Sequence, residues 1–190
     1  GWRKAGKFTM KFQHVMQQFA GNAADERLIE VPAHWGQGRA VFGGMAAALA
    51  MSHLQGAIAA DIPLRSVSVS FVAPLNSGEA VVRRRILRQG KSVVQAQVEI
   101  EQAGQVVLAA LASFGAPRLS QLSVSAVAAP AWSTAGIRLP DSEMAPEFTR
   151  HFDYQIQQGN APFSGGKSRT LGGAIRFRGE FSETVGVPEL

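Results

Sequence analysis

Apolar residues change their spacing several times along this chain, and each spacing predicts a different element. Phe12, Val15, Met16 and Phe19 follow an i, i+3, i+4, i+7 pattern, which predicts a short amphipathic helix over Lys11 to Phe19, stopped by Gly21-Asn22. Arg27 to Val31 reads as a short strand, and His34 to Arg39, with Gly36 and Gly38, as a loop. From Gly43 to Ala59 the pattern is helical again. Met45-Ala46-Ala47-Ala48-Leu49-Ala50-Met51 consists of strong helix formers and is apolar on every face. A helix apolar all round is expected to be buried on nearly all sides.

The period then drops to two. Val67, Val69 and Phe71 alternate with Ser66, Ser68 and Ser70. Pro74 to Gly78 is a turn, Ala80 to Leu87 a strand, and Gln89-Gly90-Lys91 a hairpin turn. Val94, Ala96, Val98 and Ile100 alternate with Gln95, Gln97, Glu99 and Glu101. After a turn at Ala103-Gly104, Val106 to Phe114 is nearly all apolar, as expected of a central strand covered on both faces. Strands joined by such tight turns must be antiparallel. The expected class is α+β, an antiparallel sheet wrapped around a long central helix. Pro117 onward is rich in Ala, Ser and Pro with little periodicity, and reads as a linker over 117–147. Phe148 to Gln157 and Leu171 to Phe181 read as two further strands, so 148–190 is expected to be only the start of a second domain. Residues 1–9 read as a tag or disordered sequence, and the first domain as 10–116.

Composition narrows the chemistry. Of the 190 residues none is cysteine, which excludes disulfides, thiolate metal sites and a cysteine nucleophile. No run of 18 apolar residues exists, so no membrane span is expected. With no visible signal peptide, the expected location is the cytoplasm. The net charge of +5 is concentrated at Arg83, Arg84, Arg85, Arg88 and Lys91, and at Lys167, Arg169, Arg176 and Arg178. Such clusters suit a small molecule carrying phosphates. Neighbouring arginines on one strand point to opposite faces, so only part of the first cluster can share a site, and a solvated outer face is the plainer reading. Nucleic acid is not an expected partner, because the arginines are not interleaved with exposed aromatics.

Motifs for other chemistries fail on spacing. Phe163-Ser164-Gly165-Gly166-Lys167-Ser168 ends like a phosphate-binding loop, but the first Gly of that motif falls at Ala161. His14, His34, His53 and His151 show no metal spacing, so no metal and no cofactor is expected. Ser52 and His53 are adjacent on a helix and cannot face each other.

Phe42-Gly43-Gly44-Met45-Ala46-Ala47-Ala48-Leu49-Ala50-Met51 resembles the helix-opening motif of hotdog thioesterases. There the pattern is His-Gly-Gly, four residues, then Leu-Ala-Asp. Arg39 to Gly44, Ser68 to Pro74 and Arg88-Gln89-Gly90-Lys91-Ser92 make the sequence more specifically similar to the double-hotdog (type II, TesB-like) acyl-CoA thioesterases. That resemblance implies an N-terminal hotdog followed by an incomplete second one. It implies hydrolysis of acyl-CoA to free fatty acid and CoA, with acyl-CoA or a related acyl-thioester as partner. It also implies a homo-oligomer, because hotdog sheets pair edge to edge.

The expected substrate-binding residues are Phe42, Gly43, Gly44 and Met45. A helix N-terminus presents unpaired N–H groups and the positive end of the helix dipole, and glycine lets a ligand approach them. A thioester carbonyl placed there would be polarised. The alternative is that the glycines only permit close helix–sheet packing. Met51 stands where single-domain members carry Asp, and methionine cannot activate water. The resemblance places the working carboxylate on the helix of the second hotdog, beyond Leu190. No catalytic residue is therefore assigned, and a non-catalytic acyl-thioester-binding or assembly module is the second reading. In either case the acyl chain is expected along the Met45–Met51 helix.

Overall fold

The computed structural model describes residues 12–21, 24–128, 136–160 and 164–178. They form two compact units that divide between residues 118 and 119. The expectation for residues 1–9 lies outside the described residues.

The first unit opens with α1 (Phe12–Met16), which tightens into a 3-10 turn over Gln17–Phe19. Then come β1 (Glu26–Val31), the two-residue strands β2 (Gly36–Gln37) and β3 (Ala40–Val41), and the central helix α2 (Gly43–Gln55). Four strands follow: β4 (Leu64–Phe71), β5 (Gly78–Gln89), β6 (Val93–Gln102) and β7 (Gln105–Gly115). The sheet is antiparallel throughout, in the order β1-β5-β6-β7-β4. Its tightest turn is Ala103-Gly104, where both residues take left-handed φ values of 53° and 76°. That geometry matches the twist of the two strands it joins.

The period-two pattern sets the faces. Val94, Ala96, Val98 and Ile100 of β6, and Leu108, Ala110, Ala112 and Phe114 of β7, are all buried, and α2 packs against β5, β6 and β7. Gln95, Gln97 and Glu99 stand on the opposite face, only half-buried. β7 is an interior strand, next to the edge strand β4, and only one of its faces is fully covered. Leu111 is 50% exposed beside Gln97, so the expected double cover is absent. An all-apolar strand is also what small residues such as Ala109 produce on a polar outer face.

α2 differs from its expectation in two ways. It ends at Gln55 rather than Ala59, because Gly56 follows in a turn. It is also not buried all round, since Gly44 is exposed and Ala47 half-buried.

The second unit contains β8 (Ile137–Arg138), a 3-10 turn over Glu147–His151, β9 (Phe152–Gly159) and β10 (Leu171–Phe177), paired antiparallel in the order β10-β9-β8. β8 falls inside the stretch read as linker. The strand expected from Phe148 begins four residues later, after the 3-10 turn. The phosphate-loop look-alike at 163–168 lies between two strands, and its described part has no regular structure.

Candidate functional site

The entry to α2 is pinned by main-chain bonds. The N–H of Val41 donates to the Leu75 carbonyl at 2.8 Å, and the N–H of Phe42 donates to the Trp35 carbonyl at 2.8 Å. Trp35 is buried to 1% and packs near Phe12, with ring centroids 6.2 Å apart, so this anchor belongs to the core. The first helical bond closes when the Ala46 N–H donates to the Phe42 carbonyl at 3.1 Å. The N–H groups of Gly43, Gly44 and Met45 precede it and are the ones that helix geometry leaves over. Phe42 occupies the N-cap position and supplies no side-chain cap.

Two aromatic rings flank these donors. A side chain at Gly43 would begin 3.1 Å from the tip of the Phe71 ring, and one at Gly44 would collide with the Phe42 ring. The glycines make room for packed rings, and they leave Gly44 exposed. Met45 contributes only its N–H, because its side chain is buried to 1%.

Apolar surface beside this entry comes from β4. Val67, Val69 and Phe71 pair with Ala112, Ala110 and Leu108, which are buried, so all six lie on the helix side of the sheet. Yet β4 is the sheet edge, and Phe71 is 60% and Val67 41% exposed. The expected course of an acyl chain along Met45 and Met51 finds no opening there, since both are core residues. The accessible apolar strip runs along β4 instead.

The other end of α2 is closed by charge. Arg84 points inward on the same strand face as Val82, its side chain only 3% exposed, while Arg83 and Arg85 point outward. Its Nη1 donates to the His53 carbonyl at 2.6 Å and its Nε to Asp25 Oδ1 at 3.3 Å. The Asp25 carbonyl accepts the Arg84 N–H at 2.8 Å and lies 3.0 Å from His53 Nε2. Burial, aided by the Arg84 and Arg27 charges, holds His53 below the ordinary imidazole range, against the pull of the Asp25 carbonyl. His53 is thus a core group that ties the helix end. Alternation alone identifies Arg84 as the inward arginine, two residues past Val82, but nothing local marks Asp25 as its partner.

No hydrolytic set assembles on this helix. Met51 is buried to 4%, and Gly43–Gln55 contains no carboxylate. Ser52 donates to Met16 Sδ at 3.0 Å, away from His53. Arg83 is held by Glu26 and Glu101, each at 2.6 Å, which places it in an outer ion-pair network. Among the described residues no group of three His, Asp or Glu could hold a metal. None of the described helices is long and apolar enough to cross a membrane.

Comparison with known proteins identifies the architecture. Residues 31–115 match the family described as the acyl-CoA thioesterase N-terminal domain. A conserved protein of unknown function with a hotdog fold from Alicyclobacillus acidocaldarius is similar at 20% identity and a TM-score of 0.65, over 77% of this chain and 56% of that one. A protein from Thermobifida fusca described as a candidate thioesterase II is similar at 20% identity and a TM-score of 0.60, over 71% and 50%. The tesB protein of Mycobacterium avium subsp. paratuberculosis is similar at 16% identity and a TM-score of 0.65, over 92% and 64%. No curated protein matches the chain. The fold is the hotdog fold, and the resemblance to the double-hotdog thioesterases holds. The chain spans between half and two thirds of the length of these structures.

Proposed function

We propose, taking residues 31–115 as the N-terminal domain of an acyl-CoA thioesterase, that this chain supplies the acyl-thioester-holding half of an enzyme that cleaves acyl-CoA to free acid and CoA. The observation that carries this reading is the uncapped, glycine-lined start of α2, set beside the exposed apolar residues of β4. The N–H groups of Gly43, Gly44 and Met45 would receive the thioester oxygen, and the Val67–Val69–Phe71 strip the acyl chain. Such donors stabilise the developing oxyanion, each by about 2.7–4 kcal/mol of barrier. Phe42 and Phe71 wall this entry. The carboxylate that activates water comes from another hotdog helix, since α2 has none.

The open edge of β4 fits the same reading. Its outer hydrogen-bonding edge has no partner strand among the described residues, and unpaired edges invite pairing. We infer that β4 pairs with the sheet edge of a second copy of the chain, which makes the protein a homo-oligomer. Light scattering of the 190-residue chain is expected to give a multiple of the 20.2 kDa chain mass. A monomer at all concentrations tested would contradict it.

The buried Met51 favours one second reading, an acyl-thioester-binding module without turnover. The deciding experiment is CoA release from short, medium and long acyl-CoA, run beside calorimetric binding. Release by a form carrying a second hotdog helix supports the enzyme. Binding without release by that form supports the module, and neither binding nor release sinks both.

A further inference from the structure

The five-stranded sheet has a second face, turned away from α2, and no role proposed above uses it. Strand pairing sets its residues in rows. Arg83 of β5 lies between Glu26 of β1 and Glu99 of β6. Toward one end of the sheet Glu79 pairs with Glu30, and toward the other Arg85 pairs with Gln97. Directly paired residues share a face, as do residues two apart on a regular strand.

Arg88 reaches this face through an irregularity. Strict alternation would send it inward with Arg84 and Ile86. Instead the register slips between Ile86 and Arg88, and Arg88 pairs with Gln95 on the outer face. A bulge re-aims a side chain in this way. Arg65 is turned by a similar slip between Leu64 and Ser66. Its Cγ lies 3.2 Å from where a side chain at Gly115 would begin, two residues beyond the outward Ser113. Both slips therefore bring arginines to the same end of the outer face.

The outcome is a face with unlike ends. Glu30 and Glu79 stand exposed at one end, and Arg65, Arg85 and Arg88 at the other. Arg83 lies between, bonded to Glu26 and Glu101 at 2.6 Å each. The β4 and β7 part is shallow, because Ser66, Ser68, Ser70, Ala109 and Ser113 are short. Leu28 and Leu111 add apolar surface at 61% and 50% exposure. Short side chains let another sheet come to the usual spacing of about 10 Å.

Two identical faces can meet through a two-fold axis lying between them. An axis along the strands would set like ends together, arginine on arginine. An axis across the strands reverses one copy end for end. Centred on the Arg83 row, it brings Arg88 of each copy opposite Glu79 of the other, so every favourable pair occurs twice. With strands about 4.8 Å apart and about 3.3 Å per residue, the face measures roughly 20 by 30 Å. That is about 600 Å² per copy, enough for a specific interface of about 1,200 Å² in total.

We propose that the outer face of this sheet docks on the same face of a second copy, end for end, with the Arg85–Arg88 end on the Glu30–Glu79 end. The interface is separate from the β4 edge and does not rest on the acyl-thioester reading.

The test uses two charge-reversed forms of the full 190-residue chain in sedimentation velocity. One carries Arg85→Glu with Arg88→Glu, the other Glu30→Lys with Glu79→Lys. Each form alone is expected to associate at least roughly tenfold more weakly than the unaltered chain, because like charges then meet at both ends. Mixed in equal amounts, the two forms are expected to recover the lost association, since each acidic end again faces a basic one. Pairing through β4 involves none of these four residues and cannot produce that recovery. Exposed substitutions of this kind shift stability little, and circular dichroism checks that both forms fold. If one does not, salt keeps the test open: the unaltered chain is expected to lose this association at molar salt, where surface charges are screened. An unchanged mass in both reversed forms overturns the proposal. So does weakening without recovery on mixing, or an unaltered chain whose mass is indifferent to salt.

Discussion

The two larger antiparallel sheets among the described residues treat their apolar faces differently. In the first unit α2 covers the face formed by β5, β6 and β7, and Ala96, Val98, Ile100 and Ala112 are fully buried. In the second, Phe152, Tyr154 and Ile156 of β9 share a face with Ile137, Ile175 and Phe177. The rings of Phe152 and Phe177 pack at 4.7 Å, yet Ile137 is 72% and Ile175 64% exposed. Apart from the 3-10 turn at Glu147–His151, no helix stands among the described residues of that unit. Both sheets carry the alternation of a helix-bearing sheet, and among the described residues only one has its helix. The lesson is that alternation encodes the seat, and a separate segment must fill it. The second sheet is proposed as the start of a second hotdog whose own helix takes that seat.

Substitutions can break this contrast, beginning with the largest effect. Leu49→Ala, at a fully buried position of α2, is expected to cost about 2–5 kcal/mol in denaturant unfolding. Arg84→Ala should follow. It orphans the His53 carbonyl inside the first unit, and leaving a buried acceptor unpaired costs about 1–3 kcal/mol. Ile175→Ser, on the open face, is expected to change stability by less than about 0.5 kcal/mol. A loss as large as that of Leu49→Ala would show that the second face is already covered, and the contrast would disappear.

Two smaller tests sharpen the role of α2. Gly44→Val places a side chain against the Phe42 ring and over the helix donors. It is expected to weaken acyl-CoA binding at least roughly tenfold, about 1.4 kcal/mol, while the chain stays folded by circular dichroism. Acidification probes the opposite end. His53 is held neutral by burial, below its ordinary value of 6.5. Its contribution to stability is complete above that unfolded-state value and is lost as pH falls through and below it, because the unfolded chain takes up the proton first. Stability should fall from pH 7.5 to 5.5 by at most about 1.4 kcal/mol per pH unit, one proton's worth. His53→Gln, which can still donate to the Asp25 carbonyl, should flatten that slope.

The strands and helix of the first unit were legible because period and turn chemistry act locally. Val94 to Ile100 alternates over a long stretch, and Ala103-Gly104 closes the hairpin. The site was legible only in part. Phe42, Gly43 and Gly44 stand at the helix entry, while Met45 contributes its backbone alone. The exposed strip on β4 was hidden, because Val67, Val69 and Phe71 alternate like any half-buried strand. Their exposure comes from the edge position, which is set by pairing far away in the chain. β8 was hidden for the same reason. Two residues carry no period, and Ile137–Arg138 is a strand only because β9 lies beside it. The turn of Arg88 onto the same face as Arg85 likewise needs the register.

The guanidinium of Arg84 at the tail of α2 has a consequence for how this protein can change. It fastens the helix at His53, more than a full turn of helix beyond Leu49 and at the far end from the glycines. The tie that holds the fold and the proposed ligand contact thereby fall at opposite ends of one element. Mutation can retune Phe42 and its neighbouring strand residue Phe71 while the tail stays locked. New ligand preferences are then reachable by single steps that leave the scaffold standing, which is how one sheet-and-helix frame can serve many chemistries.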